Sequence, residues 1–543
     1  MPRIRRCVLA CTILLFGLPV LVLHADDELL TADHDVAGVI DHYIDARMAI
    51  VDLTPAPMAS DSTLLRRTML DLAGRIPTAA EARQYAASTS GNKRVEMVDR
   101  LLGDQAFIRH TASELNTLLS DERGENLRPY LLESLASNKG WDQMFREMIN
   151  GDTGQSSRQG PTLFVLQRVN DLDKLTNAAS AIFFGINISC AKCHDHPLVS
   201  EWTQAHFFGM KSFFSRSFGN GDFLGERAYG AIQFKTTSGE TQDAQMMFLN
   251  GMAIGEPEWK APDSKQREAE KKQLEQLKKD KKPVPVPAYS RRGQLVQVAL
   301  ESDQHHYLAR SIVNRTWHRL MGMGLVMPLD QMHPENPASH PQLLDWLARD
   351  FVSHGYDLKR LARGIVLSRT YGRTSRWEGD SERPARTWFA VANVRTLSPR
   401  QYATSLRIAS RSAGYWSGDN KEELQQRIVG EENSAKSLAD KFDEPGEDFQ
   451  VSVGEALMFN NNADIQNQLL ADDASMLVGQ LKVLEDNSRL VHEAGWNIMG
   501  RALADEERQW MVKYLAERED RRIPAIQQLV WALLTSGEFR FNY

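Results

Sequence analysis

Cys190 and Cys193 stand two residues apart, with His194 directly after the second. C-x-x-C-H is the attachment pattern for c-type haem: the thiols add across the two haem vinyl groups, and the adjacent imidazole binds the iron. Two other chemistries use the same residues. A dithiol redox pair usually follows a strand and opens a helix, whereas a helical pattern precedes this motif. A structural zinc needs four ligands, and His196 and His206 are the residues at hand to complete such a set. The expected cofactor is one covalent haem c, held by Cys190, Cys193 and His194, with His194 as axial ligand.

The neighbours of the motif are candidates for tuning it. A carboxylate at Asp195 can accept a hydrogen bond from a ring nitrogen and raise ligand basicity, or can cap the local helix or turn. His196 is too close along the chain to reach the opposite haem face, so a structural role or a contact to a haem propionate is expected. The sixth iron ligand is open. The nearby candidates are His206, Met210, Met246, Met247 and Met252, and the more distant ones His305, His306, Met321 and Met323. Methionine there suits electron transfer, whereas an open position permits small-molecule chemistry. Trp202, Phe207, Phe208, Phe213, Phe214 and Phe218 follow the motif as either a haem wall or ordinary core.

The chain has 543 residues, more than one core usually holds. Its N-terminus has the form of a secretory signal: Arg3, Arg5 and Arg6, an apolar run from Cys7 to Leu23, then Leu23-His24-Ala25 as a cleavage site. Export to the periplasm is the expected address, with membrane contact only if that segment stays uncleaved. The formal charge is −7, and loss of the signal with its three arginines makes it −10. That balance argues against a nucleic-acid partner. Cys7 and Cys11 lie in the signal, so the mature chain keeps only the two motif cysteines. A disulfide framework would need more.

Helical periodicity dominates what remains. Apolar stripes run through Val36–Ile44, Leu64–Leu72, Val95–Leu102, Leu131–Leu135 and Trp141–Ile149. Thr78 and Glu81 form a capping box after Pro77. Ala178, Ala179, Ile182 and Phe183 build a helix that ends at Gly185 and delivers Cys190. Residues 229–254 alternate instead, with a turn at Ser238-Gly239 and a return strand expected over Gln245–Leu249. From Glu258 to Lys282 there are nine basic and six acidic residues, then Pro283, Pro285 and Pro287, the composition of a solvated helix or tether. Beyond it, Ser339 and Gln342 are expected to cap one helix, Asp357 to start another, and Ser398, Pro399 and Gln401 to box a third. No G-x-S-x-G, H-E-x-x-H or G-x-x-x-x-G-K-[ST] occurs.

The sequence resembles the planctomycete cytochrome-like family, which pairs a planctomycete-specific cytochrome-like domain holding C-x-x-C-H with a C-terminal planctomycete-specific domain of unknown function. The resemblance rests on Leu64-Leu65-Arg66-Arg67-Thr68-Met69-Leu70-Asp71-Leu72-Ala73-Gly74-Arg75-Ile76-Pro77-Thr78, Val98-Asp99-Arg100-Leu101-Leu102 and Phe184-Gly185 through His196-Pro197. In the second part it rests on Asn314-Arg315-Thr316-Trp317, His340 through Leu347 and Trp531 through Asn542. It departs at Phe107–Leu119, which lacks the family's Trp and Tyr. The resemblance implies cytochrome-like character and no particular reaction.

The expected architecture is mainly α: two helical domains with a small β insertion and a charged linker between them. Residues 1–25 are the signal, 26–220 the cytochrome-like domain with the haem motif, 221–256 the β insertion, 257–290 the linker and 291–543 the second helical domain. The expected function is an exported c-type cytochrome-like protein that transfers electrons to a periplasmic redox or envelope partner. The alternatives are an envelope interaction protein whose haem is structural or absent, and a haem enzyme such as a peroxidase.

Overall fold

The computed structural model describes residues 29–121, 127–151, 160–196, 199, 202–301, 306–379, 382–418, 420–443 and 463–543. The signal segment, His305 and Pro197 lie outside them. The protein is 58% helical, and among the described residues strands occur only as short antiparallel pairs, so it is mainly α with small β elements. Among the described residues no helix is long and apolar enough to cross a membrane.

The first part comprises α1 (Val36–Ala49), α2 (Asp61–Ala73), α3 (Ala79–Ala87), α4 (Lys93–Leu102), α5 (Gln105–Leu119), α6 (Arg128–Ala136), α7 (Trp141–Asn150), α8 (Leu163–Leu166), α9 (Leu172–Phe184) and α10 (Gln204–Phe214). Local chemistry sets their ends. Ser60 Oγ caps α2 by accepting from the Thr63 N–H, and Gly74 closes it at φ +70. A side chain at Gly74 would also collide, since its Cβ would lie 2.6 Å from His110 Nδ1. Thr78 and Glu81 make the expected capping box on α3.

Three hairpins follow: β1 (Ser217–Asn220) with β2 (Phe223–Glu226), β3 (Gln233–Lys235) with β4 (Thr241–Asp243), and β5 (Met246–Met247) with β6 (Ala253–Ile254). The turn at Ser238-Gly239 is present, but β4 is the strand that returns from it. Met246-Met247 pairs forward with Ala253-Ile254, because Phe248 to Met252 fold into a second tight turn closed by the Phe248 N–H on the Met252 carbonyl at 3.0 Å. The charged stretch forms α11 (Ser264–Lys279), capped by Asp263 and Gln266, with no buried residue. Asn220 Nδ2 donates to the Leu274 carbonyl at 3.0 Å, and Tyr229 donates to Glu270, so α11 rests on the hairpins.

The second part contains α12 (Arg291–Glu301), α13 (Tyr307–Met321), α14 (Pro341–Ser353), α15 (Leu358–Leu367), α16 (Arg369–Gly372), β7 (Arg395–Thr396), α17 (Pro399–Ser410), α18 (Lys421–Ser434) and α19 (Lys436–Ala439). After these come Ala463–Leu470, Leu477–Leu481, Asn487–Ala494, Asp505–Ala516, Arg522–Leu534, Gly537–Arg540 and a last strand, β8 (Phe541–Asn542), which pairs antiparallel with β7. Asp357 caps α15, and Ser398 with Gln401 boxes α17. The cap expected at Ser339 is not made. His340 is the N-cap of α14, with Pro341 in the first turn, because the Ser339 N–H is engaged by the Leu325 carbonyl at 2.7 Å and its own carbonyl by Arg47.

Two hydrophobic cores hold these elements. One runs from Val36 to Val391 and includes residues from both sides of α11. The other runs from Leu397 to Phe539 and takes in Leu70 and Ile76 from the first part. Helix α2 is the wall between them. Leu65, Met69 and Leu72 enter the first core and Leu70 the second. Every residue from Leu64 to Ala73 is buried, including Arg66, Arg67 and Asp71.

Buried charges need partners, and α2 finds them far along the chain. Arg66 Nη2 donates to the Phe539 carbonyl at 2.8 Å, and Arg67 Nε donates to the Tyr543 carbonyl at 3.0 Å. Asp71 accepts from both Arg395 terminal nitrogens at 2.8 Å, from the Tyr371 hydroxyl at 2.7 Å and from Asn542 Nδ2 at 2.9 Å. Replacing Asp71 with Asn leaves the Arg395 guanidinium without its carboxylate. It should lower folding stability by about 3–5 kcal/mol in denaturant titration, whereas Asp61→Asn on the exposed end of α2 should change it little.

Two buried histidines make the fold acid-sensitive. Burial, with Arg47 nearby, pushes His340 down to about 3, and burial, joined by Arg319 and Arg400, does the same to His110. The unfolded chain therefore takes up protons near the ordinary histidine value of about 6.5 while the folded chain does not. Their contribution is complete above that value and is lost as pH falls toward 3, at up to about 1.4 kcal/mol per histidine per pH unit. The stability of His340→Gln, followed by denaturant midpoint, should fall less steeply than that of the parent between pH 6.5 and 4. Equal slopes would refute this assignment.

Candidate functional site

The C-x-x-C-H motif is presented by α9 and the turn that follows it. Asp171 caps α9 by accepting from the Asp173 and Lys174 N–H groups. Gly185 ends the helix at φ +70, and the Ile186 N–H returns to the Ser180 carbonyl at 3.1 Å. The next residues are clamped to the second part of the chain. Asn187 N–H donates to the Asp330 carbonyl at 2.7 Å, Met332 N–H donates to the Gly185 carbonyl at 2.9 Å, and Ile186 bridges antiparallel to Gln331. A side chain on Gly185 would meet Met332 Sδ at 2.5 Å.

Asn187 Oδ1 then accepts from the Ser189 N–H at 3.1 Å and the Ser189 hydroxyl at 2.7 Å, starting the 3-10 turn Ser189–Lys192. Ile188 and Ala191 point inward and are fully buried. Cys190, Lys192, Cys193 and His194 are exposed, and both cysteines are free thiols. The Cys193 N–H donates to the Cys190 carbonyl at 3.3 Å. Thus one short turn carries both thiols and the imidazole on the outside.

Asp195 acts through its backbone. His194 Nδ1 lies 2.7 Å from the Asp195 carbonyl oxygen. That contact places the proton on Nδ1 and leaves Nε2 with the lone pair, the arrangement that orients a metal-binding histidine. His196 is structural. It is 6% exposed, its N–H donates to the Trp202 carbonyl at 2.7 Å, and its Nδ1 accepts from the Val199 N–H at 3.1 Å. Its ring packs edge-on to Trp202 at 5.4 Å and to His333 at 6.1 Å. Burial lowers the pKa of His196, with His333 adding to the effect, and burial lowers that of His333.

The turn is anchored from outside by charge. Lys192 Nζ and Lys211 Nζ lie 2.8 Å and 2.6 Å from the two oxygens of Asp173. Burial works against the Asp173 carboxylate, but the two ammonium groups outweigh it and hold its carboxyl below the usual range. Gln204 Nε2 donates to the Lys192 carbonyl at 3.2 Å.

The thiols and imidazole fit the donor set of a c-type haem. Among the described residues no group of three or more His, Cys, Asp or Glu is gathered as a metal ion would require, so the four-ligand zinc alternative finds no set there. The aromatic patch is mostly core: Trp202, Phe207, Phe213 and Phe214 are buried, and Phe208 stacks on Phe234 at 4.3 Å. The candidate sixth ligands are scattered. Met210, Met246 and Met321 are core side chains, Met247 packs on Gly209, and Met252 is exposed. His206 belongs to the cap of α10 and His306 to that of α13. Met323 lines a cleft.

That cleft was not expected from the sequence. It has a volume of about 980 Å³ and lies where α2, α5 and α13 meet residues 322–329, β7 and β8. Its polar lining includes His110, Arg315, His318, Arg319, Arg386 and Arg395. A signal was available: Arg315, His318 and Arg319 fall at i, i+3 and i+4, on one face of α13. Residues 327–329 line the cleft, and the same segment continues into the Asp330–His333 clamp on the C-x-x-C-H turn.

A helical chain with an exposed C-x-x-C-H turn and two cores sharing one helix is the class defined by this geometry. Residues 39–218 match the family model PSCyt2, described as a protein of unknown function (DUF1549), and residues 291–515 match PSD1, described as a protein of unknown function (DUF1553). The chain is therefore similar to DUF1549 in its first part and to DUF1553 in its second. No curated protein and no solved structure matches it.

Gly185→Ala tests the clamp. A positive φ and the Met332 contact should together cost about 1–3 kcal/mol. Protection of the Asn187 and Met332 amides from hydrogen exchange should fall first, ahead of the core of α5. Uniform loss across the chain would contradict a local clamp.

Proposed function

We propose that Cys190 and Cys193 bind one haem c through two thioethers, with His194 Nε2 as the protein's axial ligand, and that the exported protein passes electrons to a periplasmic redox or envelope partner. The observation that carries this is the turn itself. Buried Ile188 and Ala191 hold its backbone while both thiols and the imidazole face out, and the Asp195 carbonyl sets the imidazole tautomer. When bound, the haem supplies a one-electron couple whose potential depends on its axial ligands and its exposure. The chain's own residues orient that ligand: the Asn187–Asp330 and Gly185–Met332 bonds fix the turn, and the Lys192–Asp173 pair braces its outer side. A second reading is an envelope interaction protein with structural or absent haem. It is favoured by the extent of the chain beyond a turn that a far shorter protein would suffice to present.

Expression with a haem-attachment system should give a protein that keeps its haem after denaturation. The alkaline pyridine spectrum should be that of two thioether bonds. Cys193→Ala should lose that signature, and Lys192→Ala should retain it. A protein that carries no covalent haem would sink this function and leave the interaction reading. In the native spectrum, two filled axial positions favour electron transfer, and an open position favours a haem enzyme.

A further inference from the structure

The cleft between α2, α5 and α13 has an excess of fixed positive charge. Four guanidiniums line it, those of Arg315, Arg319, Arg386 and Arg395, against the carboxylates of Asp71 and Glu114. Asp71 is already taken by Arg395, Tyr371 and Asn542. Glu114 faces the His110 ring at 3.9 Å. Among the described residues no carboxylate forms an ion pair with Arg315, Arg319 or Arg386.

These three arginines are nevertheless held in place. Arg315 Nη2 donates to the Ala181 carbonyl at 2.7 Å, Arg319 Nη1 to the Asp71 carbonyl at 3.2 Å, and Arg386 Nη2 to the Gly322 carbonyl at 2.6 Å. A carbonyl fixes one N–H of a guanidinium without neutralising its charge, and leaves other donors of the planar fork for a ligand. Arg315 Nε is buried and has no partner. Burial lowers the pKa of both Arg315 and Arg319, and outweighs the opposing pull of Asp330 on the first and of Glu114 and Asp71 on the second. A positive charge so placed is destabilising until an anion meets it.

The remaining lining decides the kind of anion. Leu118, Ile312, Met323 and Leu329 give the cleft an apolar side. Its volume is in the range that takes a small organic molecule. The two carboxylates offset two of the four guanidiniums, which leaves two positive charges. We propose that this cleft binds an organic dianion, its oxyanion groups held by Arg315, Arg319 and Arg386 and its carbon frame lying on the apolar side. This site is separate from the haem turn and stands whether or not haem is attached.

Calorimetric titration of the full chain tests this with two dianions, adipate and phenyl phosphate, and two neutral partners of similar frame, 1,6-hexanediol and phenol. At least one dianion should bind roughly tenfold or more tightly than its neutral partner, with affinity falling as salt rises. Adipate alone would define a dicarboxylate site, and phenyl phosphate alone a phosphate-ester site. Arg386→Gln, at an exposed position, and Arg319→Gln should each weaken binding about tenfold. Arg319→Lys should keep part of the affinity, which separates lost charge from lost packing, and Lys272→Gln on α11 should change nothing. Binding of neither dianion, equal binding of the neutral partners, or undiminished binding by Arg386→Gln would overturn the proposal.

Discussion

Asp71 is the point on which the rest of the molecule depends. A carboxylate inside a protein is tolerated only when its charge and lone pairs are met, and here they are met by Arg395, Tyr371 and Asn542. Those partners lie 300 to 471 residues away in sequence. The same helix sends Arg66 and Arg67 to carbonyls of the C-terminal residues. The last residues are therefore tied to a helix near the beginning, and both hydrophobic cores form against it.

This arrangement changes how the two matched segments relate. They share packing: the core that begins in α1 continues through α13, α14 and α15. The charged helix α11 spans the gap between the segments on the outside, with none of its residues buried. The C-x-x-C-H turn depends on that shared packing as well. It leaves α9 under a clamp built from Asp330 to Met332, and His333 packs beside His196 and Trp202. The same stretch of chain forms part of the cleft at residues 327–329. One segment of the second part thus shapes both the C-x-x-C-H turn and the cleft.

Motifs of the second segment also acquire reasons. Asn314 makes two hydrogen bonds with the backbone of Val326, at 2.9 and 3.0 Å, and so fixes how the chain returns after α13. Arg315 donates to the Ala181 carbonyl in the last turn of α9, where a cation is favoured by the helix dipole. Trp317 is fully buried and meets Phe389 edge-on at 5.3 Å. Each of these residues serves an element distant in the chain.

The sequence by itself determined what local chemistry can specify. Thr78 with Glu81 and Ser398 with Gln401 made their caps, Gly74 and Gly185 ended their helices, and the acid-interrupted basic run became an exposed helix. It also picks out Cys190, Cys193 and His194 as candidates, because their types and spacing are fixed before any folding. Only the tertiary structure decided the rest. Ser339 lost its cap because Leu325 and Arg47 claim its backbone, and Met246-Met247 found a partner ahead of it. The Asp195 carbonyl came to lie against His194 Nδ1, and His196 was packed beside Trp202 and His333. The cleft was hidden most fully. Arg315, Arg319 and Arg386 come together there without an ion-paired carboxylate among the described residues, and that is a property of the folded arrangement which no spacing along the chain records.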